Sequence, residues 1–290
     1  LCLAAAKDLM ASLSWEPDCI DALIFVTQSP DYFLPSTACL AHRDLGLKHE
    51  CAAFDLGLGC SGYPYGIWLA SMMLQNPGFK RALVLHGETP GRFAAASDRS
   101  VALLFGDAGS ATALEANDST VEDRWGFDLH TDGTGDNHLL IPGGGFRNRS
   151  PQDPAANHVQ MNGKQIFNFT IKRVPPMVED TLKAASLTTA DLDYLIFHQS
   201  NQFIIQFLTK KAGLPKEKIP MTLESFGSTG GPSVPLTITQ GSLDRPAERD
   251  LTMLLLGYGV GLSWGSALLN LPPTARLSHV ELPVEQTATN

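Results

Sequence analysis

The chain repeats itself. Asp193-Tyr194-Leu195-Ile196-Phe197 echoes Asp21-Ala22-Leu23-Ile24-Phe25, and Ala212-Gly213-Leu214 echoes Leu45-Gly46-Leu47. The strand expected over residues 251–256 parallels the one over 82–85. The Gly-rich turn at 226–231 parallels the turn that ends at Cys60. The offset holds at roughly 170 residues, which marks an internal duplication. Each copy alternates helical patterns with continuous apolar runs, and such runs suit parallel strands covered on both faces. The expected architecture is therefore α/β, with two pseudo-symmetric halves. The first half spans residues 1–154, the second 155–271, and 272–290 is a polar, Pro-containing tail expected at the surface.

Within the first copy, Ala52-Ala53-Phe54-Asp55-Leu56-Gly57-Leu58-Gly59-Cys60-Ser61-Gly62 places a cysteine where a strand runs out in small residues. An apolar helical run over 63–76 follows. A strand, a tight turn and a cysteine at a helix start form a nucleophile elbow. The partial positive charge and unpaired N–H groups of the helix end favour thiolate over thiol. Most free cysteines are merely small buried apolar residues, so this pattern alone leaves both readings open.

The second copy carries polar residues at the matching places. His198 ends the apolar run at Phe197 and opens His198-Gln199-Ser200-Asn201, while Ser228 and Thr229 lie in the Gly-rich turn. A His closing an apolar run is more often a core residue than a catalyst. This one opens a polar cluster at a strand terminus, where open α/β sheets bind ligands.

The remaining expectations are simpler. Residues 1–13 read as a core-facing helix with neither Met nor a strand ahead, so further residues are expected before them. Residues 99–114 read as two strands joined by a turn at Gly106-Asp107-Ala108-Gly109. The helix over 167–186 is expected to break at Pro175-Pro176. A formal net charge of −9 argues against non-specific nucleic-acid binding, which needs Lys and Arg. Cys2, Cys19, Cys39, Cys51 and Cys60 form no CxxC pair and no metal spacing, and an odd, scattered set suits a reducing cytoplasm. No signal peptide or membrane-spanning run is legible.

On these residues and motifs together, residues 1–271 resemble the ketoacyl-acyl-carrier-protein synthase III group of the thiolase-like superfamily. The resemblance is carried by Gly59-Cys60-Ser61-Gly62, Asp98-Arg99, Leu104-Phe105-Gly106-Asp107-Ala108-Gly109 and Met161-Asn162-Gly163 with Phe167. It continues through His198-Gln199-Ser200-Asn201, Phe226-Gly227-Ser228-Thr229 with Ser233-Val234-Pro235, and Gly257-Tyr258-Gly259-Val260-Gly261. It implies a five-layered αβαβα fold, a homodimer, and a Cys-His-Asn site at the base of a pantetheine tunnel, with no metal or cofactor. Cys60 takes an acyl group from acyl-CoA. Malonyl-acyl-carrier protein then loses CO2, and its carbanion attacks the thioester. Backbone N–H groups of Cys60 and Val260 form the oxyanion hole. Arg99, Phe167 and Asn201 match substrate and coenzyme positions, and Leu34 matches a residue that closes the partner's acyl pocket. Lys210 and Lys211 match a carrier-docking position, whereas Phe203 stands where some members carry a docking Arg.

Two departures bear on activity. Ser228 occupies the place of the family's catalytic Asn, which leaves acylation of Cys60 intact and decarboxylation in question. The family pattern also has about 50 residues ahead of the position of Leu1, which supply a strand of the first half and contacts to adenine. Three hypotheses follow: a decarboxylating synthase; an acyltransferase delivering the acyl group from Cys60 to an amine, hydroxyl or other nucleophile; and a non-catalytic partner subunit.

Overall fold

The computed structural model describes residues 1–99, 101–116, 125–213 and 215–282. In chain order its main elements are α1 (Cys2–Leu13), β1 (Ala22–Val26), α2 (Thr37–Leu45), β2 (Ala52–Leu56), α3 (Gly62–Leu74), β3 (Arg81–Glu88), β4 (Ala108–Glu115) and β5 (Gly126–Thr131). They continue with β6 (Leu139–Leu140), β7 (Gln160–Met161), α4 (Gly163–Ala184), β8 (Tyr194–Phe197), α5 (Gln202–Ala212), α6 (Leu223–Phe226), α7 (Ser233–Gln240), β9 (Leu251–Gly259) and β10 (Ser263–Leu271).

Two four-stranded sheets carry the duplication. The first has the order β2-β1-β3-β4 and the second β5-β10-β9-β8. β1 lies parallel to β2 and β3, and β8 parallel to β9, while β4 and β10 run antiparallel to their neighbours β3 and β9. β1, β3 and β4 thus correspond to β8, β9 and β10. Helices α1 and α2 cover the outer face of the first sheet, α3 and α7 pack between the sheets, and α4 with α5 covers the second. This gives five layers, α-β-α-β-α. All five β1 side chains are buried, as both-face coverage requires.

Several expectations need correction. The second sheet takes its edge strand β5 from residues 126–131, paired antiparallel with β10, so a boundary at 154 falls too late. Residues 101–104 form turns rather than a strand, because β4 finds its antiparallel partner in β3. The segment before the turn at 226–231, which the parallel with the Cys60 turn would make a strand, holds the short helix α6 instead. Helix α4 runs unbroken through Pro175 and Pro176. Pro175 cannot donate to the Ile171 carbonyl one turn earlier. That carbonyl instead accepts from Lys211 Nζ at 3.4 Å. Val174 and Met177, both almost fully buried, pin the helix on either side. Within the tail, residues 272–282 are described; Ser278 Oγ donates to Asp8 Oδ2 at 2.6 Å and ties this stretch to α1.

Candidate active site

β2 ends at Leu56 and α3 begins at Gly62, so the small residues between them form the tight connection that the sequence predicts. The Gly62 N–H donates to the Gly59 carbonyl at 2.8 Å and closes the turn. Glycine is required where other backbone crowds the elbow. A Cβ at Gly257 would lie 2.8 Å from the Cys60 carbonyl, and one at Gly259 would lie 2.8 Å from Cys60 Cβ and 3.0 Å from its sulfur. The end of β9 therefore touches the nucleophile directly.

The backbone N–H groups of Val260 and of Cys60 itself face the Cys60 sulfur and favour its charged form. These are the two donors expected of an oxyanion hole, already gathered at the sulfur. The ionisation of the thiol differs from the expectation. Burial pushes its pKa up to about 11, the charge of Glu88 adds to that rise, and the two backbone donors offset only part of it. Desolvation of the charged form outweighs the helix end. At neutral pH Cys60 is a thiol, and a base must take its proton.

His198 is the base that the sequence offers. His198 follows β8 and is buried. Its Nδ1 lies 2.9 Å from Ser233 Oγ, which also accepts the Gln199 N–H at 3.0 Å. Burial holds the pKa of His198 down to about 4, with the backbone of Gly230 working against it. The imidazole is therefore neutral, as a general base must be. Tyr258 packs edge-on to the ring at 5.6 Å, and its hydroxyl donates to the His198 carbonyl at 3.3 Å. Tyr258 also feels the charge of Cys60. Consecutive residues of β9, Tyr258 and Gly259, thus touch the histidine and the cysteine.

The turn at 228–231 completes the site. The Ser228 N–H donates to the Leu104 carbonyl at 2.8 Å, and the Ser228 carbonyl accepts from Gly106 at 3.1 Å. Ser228 and Thr229 are buried. Gly230 reaches His198, and a Cβ on Gly231 would lie 2.5 Å from the Gly59 carbonyl. The end of β9 meets Cys60 at Gly259 and His198 at Tyr258, and the 228–231 turn meets the elbow at Gly59 and His198 at Gly230, so the segments that carry Cys60, His198, Ser228 and Val260 are neighbours.

The other candidates have contacts of their own. Phe167 stacks on Phe203 at 5.8 Å and meets Phe207 edge-on at 5.7 Å. Asn201 caps α5, its Oδ1 accepting from Phe203 at 2.8 Å and Ile204 at 3.4 Å. Arg99 is exposed. Leu34, 85% exposed, stands on the loop before α2. Lys210 and Lys211 end α5, and Lys211 serves the Ile171 carbonyl. Sequence reasoning misses Glu88 and His86 of β3, buried beneath the catalytic turns, and Gln28 beside Gly59. No motif marks them. Among the described residues no cluster suits a metal ion, and no helix is long and apolar enough to cross a membrane.

Comparison with known proteins fits this geometry. Residues 54–133 match a family model described as 3-oxoacyl-[acyl-carrier-protein] synthase III, and residues 182–271 match that of its C-terminal part. A beta-ketoacyl-[acyl-carrier-protein] synthase III of Natranaerobius thermophilus is 34% identical over 274 residues, covering 93% of this chain and 83% of the relative. The chain belongs to the 3-oxoacyl-[acyl-carrier-protein] synthase III family. A relative of the same name from Coxiella burnetii is 32% identical over 272 residues, covering 92% of this chain and 82% of its own. The crystal structure of a 3-oxoacyl-(acyl-carrier protein) synthase from Burkholderia xenovorans superposes with a TM-score of 0.88 at 41% identity, covering 94% of this chain and 79% of that one. The five layers are thus the thiolase-like fold, and the synthase III relatives are condensing acyltransferases.

Proposed function

We propose that Cys60 takes an acyl group from acyl-CoA and that the resulting thioester is condensed with malonyl-acyl-carrier protein. The observation that carries this reading is the end of β9, where Gly259 lies against the Cys60 sulfur and Tyr258 against the buried imidazole of His198. In the first half-reaction His198 accepts the thiol proton as the sulfur attacks the thioester carbonyl. The two N–H groups receive the oxyanion that forms, and the proton passes to the departing coenzyme A sulfur. In the second, malonyl-carrier protein loses CO2, and His198 and the Ser228 hydroxyl are the donors for the enolate. The enolate carbon attacks the acyl thioester and frees Cys60. Side chains and backbone suffice for these steps, without a cofactor.

Further assignments belong to the same reading. Lys210 and Lys211 meet the acidic carrier protein, and Arg99, Phe167 and Asn201 contact the coenzyme. The protein acts as a cytoplasmic homodimer in which Leu34 closes the partner's acyl pocket. The exposure of Tyr32, Phe33 and Leu34, at 62%, 61% and 85%, supports a covered face there.

Intact-mass measurement after exposure to a panel of acyl-CoAs tests the first step. The expected result is one acyl group per chain, absent in Cys60→Ala. No label from any acyl-CoA would favour a non-catalytic partner subunit. Release of CO2 from malonyl-carrier protein tests the second step. Ser228 favours one alternative, transfer from Cys60 to an amine or hydroxyl without decarboxylation; acylation without CO2 would select it.

A further inference from the structure

The mechanism leaves unused a carboxyl buried beneath the site. Glu88 ends β3 and is 5% exposed. Its Oε1 accepts from the Gln28 backbone N–H at 2.8 Å, and its Oε2 accepts from Ser29 Oγ at 3.0 Å. The same short turn is tied further by the Ser29 N–H to Thr27 Oγ1 at 2.9 Å and the Thr89 N–H to Ser29 Oγ at 3.1 Å. The Gln28 side chain fills the space where Gly59 lacks a Cβ, immediately before Cys60. On its other side, Glu88 Cγ lies 3.2 Å from where a Cβ of Gly230 would stand. One carboxyl is thus wedged between the turn that backs the cysteine and the turn that holds the histidine.

We propose that Glu88 is a positioning residue for the nucleophile: its carboxylate holds the 27–29 turn against the elbow, and its negative charge keeps the Cys60 proton on the sulfur. The proposal rests on Cys60 being the nucleophile. The titratable groups that face Glu88 are Cys60 from the elbow and Cys2 from α1, whose ionisation it also opposes. His86 lies two residues back on the same face of β3, while Gln28, Ser29 and Gly230 bring no charge. Burial pushes the Glu88 pKa up to about 7, with the Gln28 and Ser29 donors opposing the rise. The carboxyl therefore gains its charge near neutral pH. Cys60 then loses its proton only as His198 accepts it, and the resting sulfur is guarded from stray electrophiles.

Alkylation of Cys60 by iodoacetamide, followed against pH by peptide mass spectrometry, tests this without any acyl substrate. Glu88→Gln keeps the size and removes the charge. Its Cys60 should react about threefold to tenfold faster at pH 8, with the profile displaced to lower pH, because one pKa unit is tenfold in thiolate. Glu88→Asp keeps the charge and should stay near the wild-type profile. An unchanged Gln profile, or one displaced to higher pH, overturns the proposal; a purely structural role would alter rates without moving the midpoint. Should Glu88→Gln not fold, the wild type decides alone. Its log rate should rise with a slope below one around pH 7, as Glu88 ionises, and a slope of one throughout would overturn the proposal. Because alkylation needs no acyl-CoA, its failure is separate from failure of the acylation experiment.

Discussion

Ser228 and His86 raise opposite questions at the scale of single residues. Ser228 stands where the family resemblance expects an Asn, and a hydroxyl is a shorter donor than a side-chain amide. Loss of one positioned donor commonly lowers a rate by about 10²–10³. Ser228→Asn should therefore raise malonyl decarboxylation about tenfold or more while leaving Cys60 acylation unchanged; an equal CO2 rate would show that Ser228 already suffices. His86 is fully buried, stacks against Tyr63 at 6.4 Å, and has no hydrogen-bond partner at either ring nitrogen. Burial, aided by His198, holds its pKa down to about 3. Below pH 6.5 the unfolded chain binds a proton that the folded chain refuses, so this term costs stability as pH falls towards about 3. The loss at pH 4 is about 3 kcal/mol, and His86→Leu should flatten the fall in melting temperature between pH 7 and pH 4. A parallel fall in both proteins would remove this account. Cys60, His198 and Ser228 were legible because each sits at the end of an apolar run or in a Gly-rich turn. His86 and Glu88 were not, since a polar residue within a strand gives no sign of what lies beneath it.

Elements read well where local chemistry and packing agree. β1 and α3 fall within two residues of where their apolar patterns place them. The prolines of α4 misled because a missing N–H weakens a helix, while packing of its buried face and a lysine from the next helix offset that loss. The start of α2 shows another contribution from outside the helix. Its N-cap, Ser36, makes no side-chain cap. The first turn is instead held by Asp55 of β2, whose two oxygens accept from Thr37 and Ala38 N–H, each at 2.7 Å. A carboxylate on a helix N-terminus stabilises both the unpaired donors and the helix dipole. Asp55→Ala should cost about 1–2 kcal/mol, lowering the melting temperature by several degrees, and Asp55→Asn should cost less. Equal melting temperatures for the three proteins would refute this. The residues were all visible in sequence, but nothing in it pairs a strand carboxylate with a helix 17 positions earlier.

At the scale of the molecule, the two halves are stitched together at the site itself. Ser61 of the first half and Ser263 of the second share a buried hydrogen bond of 2.6 Å beside the nucleophile. The duplication also shows where the halves differ. β10 has β9 on one edge and β5 on the other, but its counterpart β4 pairs with β3 alone among the described residues. Along the other edge of β4 runs an apolar cavity of about 1060 Å³, lined by β4, by Leu1, Ala5 and Leu9 of the α1 region, and by Leu277 of the stretch tied to Asp8. Among the described residues no strand takes up the N–H groups along that edge. Hydrogen exchange should separate the two strands. The alternate amides of β4 that point away from β3 should exchange about 100-fold faster than β10 amides in the corresponding positions, because they open without breaking a ladder. The amides of β4 that face β3 should match β10, which serves as the internal control. Equal protection on both edges of β4 would mean that its outer edge is paired in solution, and the two halves would then be more alike than their described strands.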